Sequence, residues 1–126
     1  MDYYPDMKIL HVGKYYPPYR GGMETALQNV AEGLLDADCD VSLVVAGHRD
    51  GDSQEAICGP DSGRKGTLWR VAVRGVFNSQ PLTPGLVGTL RREVSRFEPD
   101  LVHLHLPNPL AAAAWLGLMA TGMPDR

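Results

Sequence analysis

Cysteine is scarce: Cys39 and Cys58 are the only two in 126 residues. Two thiols without evenly spaced partners exclude the disulfide framework of a small secreted domain and point to free thiols in a reducing cytoplasm. The opening residues show no charged-then-apolar leader pattern. Long hydrophobic runs are lacking as well. The longest mainly apolar stretch, Leu110 to Met119, falls well short of the roughly 20 residues that a spanning helix needs. It is expected to be a core helix, with any membrane contact peripheral and at the inner face. Excess positive charge is the third absence, since 12 basic residues face 15 acidic ones for a net charge of -3. The basic side chains are scattered, which excludes a phosphate-backbone binder and removes nucleic acid from the expected partners.

What is present suits one core, with 44% hydrophobic residues in a chain of single-domain length. Residues 1–6 lack periodicity and precede a second methionine, so they are treated as an extension to a domain covering residues 7–126. Met7 to Gly13 is short, apolar and closed by glycine, as a doubly buried strand would be. Met23, Leu27, Val30, Ala31 and Leu34 recur at helical spacing, with Glu24, Gln28 and Glu32 opposite. Val41 to Ala46 predicts a second strand and Leu68 to Val73 a third. The polar, glycine-rich stretch from His48 to Gly66 predicts a loop, either a surface excursion or a functional flap. Thr83-Pro84 predicts the cap and first turn of a helix carrying Leu86, Leu90, Val94 and Phe97 and stopped by Pro99. Asp100 to Leu106 predicts strand four, and Asn108-Pro109 opens an alanine-rich last helix. This alternation predicts an α/β fold, a Rossmann-like parallel sheet with right-handed crossovers and helices on both faces.

In an open parallel sheet, ligands bind beyond the carboxyl ends of the strands. Two segments end there. In the loop after strand one, Gly21-Gly22 stands before a helix whose unpaired amides and positive dipole end would stabilise a diphosphate. An isolated glycine pair also serves simply to break a loop and start a helix. A dinucleotide fingerprint is disfavoured, because Gly13 leads into a loop stiffened by tyrosine and proline. Tyr15, Tyr16 and Tyr19 either stack on a sugar or fasten the loop to the sheet. Arg20 either pairs with an anion or is an ordinary surface arginine. The second segment holds His103 and His105, which share a face by two-residue alternation, with His105 nearer the rim. Imidazole can donate to a sugar hydroxyl near neutral pH. His105 is therefore the functional candidate, whereas His103 and His11 read as hydrogen-bonded sheet histidines. No cysteine or third histidine lies at ligand spacing, so no metal is expected. Asp50 to Glu55 has the wrong order of acids and glycine for a calcium loop.

Three ordered stretches carry a resemblance: Met7-Lys-Ile-Leu-His-Val12, then Tyr15-Tyr-Pro-Pro-Tyr-Arg-Gly-Gly-Met-Glu24, then Phe97-Glu-Pro-Asp-Leu-Val-His-Leu-His105. Together they resemble the amino-terminal domain of family 4 glycosyltransferases, which have the two-domain GT-B architecture. The resemblance implies sugar transfer from a nucleotide-sugar donor with retention, no divalent metal, and an acceptor held mainly by the amino-terminal domain. It places the donor diphosphate against Gly21 and Gly22, assigns His105 to the cleft beside the transferred sugar, and gives Glu24 a supporting role in the loop. Tyr19, Arg20, Glu24 and Asn108 are the remaining candidates for acceptor or loop contacts. Bacterial cell-surface or exported polysaccharide is the expected pathway.

The resemblance also implies a carboxy-terminal donor domain, absent here. The chain stops where the alternation calls for another strand, which predicts an incomplete first domain that neither turns over nor binds donor tightly alone. With strand order three-two-one-four, strand four would form an edge through which the fragment self-associates. Two other function classes remain in view: a non-catalytic flavodoxin- or receiver-like module, disfavoured by Gly13-Lys14 where a receiver carries acids, and a GT-B-shaped nucleotide-sugar epimerase.

Overall fold

The computed structural model describes residues 7–17, 22–47, 51–77, 80–105 and 109–120. In chain order the elements are β1 (Lys8–Val12), α1 (Gly22–Asp36), β2 (Asp40–Ala46), β3 (Ser53–Cys58), β4 (Lys65–Val71), β5 (Val76–Phe77), β6 (Gln80–Pro81), α2 (Leu86–Phe97), β7 (Leu101–Leu104) and α3 (Pro109–Ala120). A five-stranded sheet has the order β3-β4-β2-β1-β7. Its β4-β2-β1-β7 part is parallel, and β3 pairs antiparallel with β4. The predicted order three-two-one-four is therefore present, with one strand added at its outer side.

The two central strands are apolar on both faces because helices cover both. Leu27, Ala31 and Leu35 of α1 pack against Val41, Leu43, Val45 and Leu68 on one face. On the other face Leu86, Leu90 and Val94 of α2 and Leu118 of α3 pack against Leu10, Val12, Val44 and Val71. Each fully buried leucine in these layers contributes about 1.5–3 kcal/mol of transfer free energy. Gly13 permits the close approach of α1, since a Cβ there would lie 2.6 Å from Leu27 Cδ2. Among the described residues no helix is long and apolar enough to cross a membrane.

Three expectations need correction. The stretch from His48 to Gly66 is not a loop throughout, because Ser53–Cys58 forms β3 and β4 begins at Lys65. Only Ile57 of β3 is buried, so the strand has no apolar alternation to betray it. Pairing makes it, and a turn holds that pairing: Gly59 N–H donates to the Arg64 carbonyl at 2.8 Å. The Asp36 carboxylate also accepts the Ser62 N–H at 2.8 Å. Second, β4 ends at Val71, after which a short ribbon of β5 and β6 leads into α2. Third, α2 starts at Leu86 after Gly85, with no side-chain cap. Thr83 offers its backbone carbonyl to the Leu86 N–H at 3.0 Å.

The predicted stop at Pro99 holds. Glu98 takes a left-handed conformation, φ 51°, and its N–H donates to the Val94 carbonyl. Asp100 then fastens β7 to β1 twice. Its carboxylate accepts the Lys8 N–H at 2.9 Å, and its own N–H donates to the Lys8 carbonyl at 2.7 Å. This fixes the register in which His11 faces His103. A slip of one residue would turn every side chain of β7 to the opposite face.

Candidate functional site at the carboxyl rim of the sheet

Alternation along β1 sends Leu10 and Val12 to the α2 side and His11 to the α1 side. The same alternation along β7 puts His103 on the side of His11. His105 follows β7 immediately and is tied to β1 by its N–H, which donates to the Val12 carbonyl at 2.9 Å. The three imidazoles consequently meet. His103 and His105 stack with ring centroids 4.0 Å apart, and His11 lies 5.3 Å and 5.1 Å from them. His11 Nδ1 and His105 Nε2 are 2.8 Å apart, one donating and the other accepting.

Solvent exposure grades across the group. His11 is fully buried, His105 half-buried and His103 exposed. Burial first, then the neighbouring imidazoles of His105 and His103, pushes the His11 pKa down to about 3. Burial, then His103, pushes His105 down to about 4. Both are neutral near pH 7, with His105 able to donate or accept one hydrogen bond toward a ligand. His11 Nε2 makes no hydrogen bond with any described residue, although it is buried.

Hydrogen-bonded His11 agrees with the reading of a core histidine, yet its position also supplies the third histidine that sequence spacing did not reveal. Among the described residues, His11, His103 and His105 form a group whose ligand atoms all lie within 4.8 Å of one another. His103, read as a sheet histidine, is exposed and joined to this group through its ring.

Gly22 is the first residue of α1 and exposed, and a Cβ there would meet no described atom within 4 Å. Packing against the described residues therefore does not demand glycine at this position. Because β1 and β7 are parallel neighbours, the loop into α1 and His105 leave the sheet at the same rim. Glu24 lies half-buried in the first turn of α1, where its charge complements the helix dipole. Tyr19, Arg20, Gly21 and Asn108 fall outside the described residues.

Tyr16 resolves one alternative. It is 4% exposed and packs in the α1-side core, so it fastens the loop to the sheet. Burial first, then Glu32, raises its hydroxyl pKa to about 12. Arg70, which was not singled out from sequence, completes the fastening. It is 5% exposed in β4, pairs with Glu55 at 3.0 Å, and donates to the Tyr16 carbonyl at 3.4 Å and to the Pro17 carbonyl. A charged residue inside an apolar strand was the available signal.

Also at the rim, a groove of about 580 Å³ opens between the start of α2 and the early turns of α3. Leu82, Pro84, Val87 and Ala114 give it apolar walls, with Arg74 as its charged group.

These features define a doubly wound α/β domain whose candidate site lies at the carboxyl ends of the strands. A model of Glycosyltransferase Family 4 matches residues 20–124, and the chain belongs to that family, as an amino-terminal domain of the glycosyltransferase type. Neither a curated protein nor a solved structure matches it.

Proposed function

We propose that this domain serves a retaining glycosyltransferase that takes its sugar from a nucleotide-diphosphate donor. The observation that carries the reading is His105, a neutral imidazole held at the carboxyl rim by buried His11, the same rim at which the chain leaves β1 for α1. Neutral imidazole suits a hydroxyl-bearing ligand, because it offers a directional hydrogen bond without fixing a counter-charge. Charge that develops on the departing diphosphate would be met by the amides of Gly21 and Gly22 and by the positive end of α1. This arrangement asks for no divalent metal in the transfer step. The acceptor would lie in the groove walled by Leu82 and Val87, with Arg74 toward an anionic part. An acceptor with an apolar portion fits that lining, in keeping with synthesis of a surface or exported polysaccharide at the inner face of the membrane.

His105→Ala in the complete enzyme tests the reading. Turnover should fall on the order of 100-fold, the usual scale for losing one aimed polar group at a reacting centre. The melting temperature should barely move. Equal losses of activity and stability would return His105 to the core, and an inverted product anomer would remove retention.

A further inference from the structure

We propose that His11, His103 and His105 form a binding site for one first-row transition-metal ion, with zinc(II) as its best-suited occupant. The site stands on geometry and does not depend on the sugar-transfer reading. His11 and His103 occupy paired register positions of two adjacent parallel strands, and His105 follows the second strand immediately, tied to β1 through its N–H on the Val12 carbonyl. The Asp100 contacts to Lys8 fix that register, so backbone pairing presents the ligands without any loop having to order.

Their candidate ligand atoms lie within 4.8 Å of one another. Zinc–nitrogen bonds of 2.0–2.1 Å in a tetrahedral site place nitrogens about 3.3 Å apart. The His11–His105 pair, now at 2.8 Å, would open by about half an ångström. His103, exposed on the outer side, can swing inward to complete the triangle. The ion replaces the single hydrogen bond between His11 and His105 with two stronger bonds.

The chemistry of the donors selects the occupant. Imidazole nitrogen suits zinc, copper, nickel and cobalt, whereas magnesium and calcium seek oxygen ligands. Three protein ligands leave a fourth position on the exposed side for water or a substrate oxygen.

Cobalt(II) titration of the purified full chain tests the site without reading turnover. One equivalent should bring up the intense visible bands of a tetrahedral cobalt centre, and zinc(II) should bleach them. His103→Ala is the first variant, because its exposed side chain can be removed with the fold intact, as circular dichroism would verify. Removing an outer partner of a metal ligand already costs 10–100-fold in affinity, so loss of a ligand should weaken cobalt binding by at least about 100-fold. Absence of tetrahedral bands in the parent, or equal affinity in His103→Ala, would overturn the proposal.

Discussion

Two buried polar groups face opposite sides of the same sheet, and they are completed differently. On the α2 side, Glu93 is 2% exposed and accepts from the Ser42 hydroxyl of β2. Arg96 also donates to Glu93, with Nε at 2.7 Å from Oε1. Both oxygens of the carboxylate thus have partners, and its charge is met by a cation. On the α1 side, His11 is equally buried but keeps one nitrogen unpartnered among the described residues. Its other nitrogen leads to His105 at the rim. A completed polar cluster joins a helix to a strand, whereas the His11–His105 pair ends at a half-buried ring on the rim, where a ligand can reach it. Burial alone would not have separated the two.

The largest effect that would sharpen this comparison is on the completed cluster. Arg96→Met strips Glu93 of its cation while leaving the carboxylate buried, and should destabilise the fold by about 2 kcal/mol in urea unfolding, the scale of a lost charged hydrogen bond at a buried group. Activity per folded molecule should be retained. A loss below about 1 kcal/mol would mean that the cluster does not bind α2 to the sheet.

A smaller effect distinguishes the histidine side by pH. The His11 pKa falls from 6.5 to about 3 on folding, so the unfolded chain binds the extra proton between those values. Its contribution is fully present above pH 6.5 and is lost as the pH falls toward 3. The slope is at most about 1.4 kcal/mol per pH unit for this one residue. Unfolding free energies measured from pH 7 down to pH 5 should decline in this sense. A flat profile would place His11 in contact with water.

Much of the fold was legible because its signals are local. Apolar runs closed by glycine marked β1 and β2, helical stripes marked α1 and α2, and alternation placed His103 and His105 on one face. What escaped depends on pairing. Ser53–Cys58 buries only Ile57 and becomes a strand by hydrogen bonding to β4, so no pattern within the segment announces it. His11 joins His105 across 94 positions, with His103 beside them, through the β1–β7 register, which no spacing rule along the chain contains. Arg70 shows the same limit. Its place in an apolar strand was visible, but its grip on the loop at Tyr16 and Pro17 needed the third dimension.

An anion resting at the rim, between the start of α1 and the end of β7, is the claim on which sugar transfer depends. Nuclear magnetic resonance titration of the protein with inorganic pyrophosphate addresses it directly, with the Gly22 amide and the His105 ring as reporters. Both should shift together along one saturation curve, with the buried Glu93 cluster unmoved. Shifts confined to other residues, or a Gly22 amide that does not respond while His105 does, would contradict a diphosphate site at this corner.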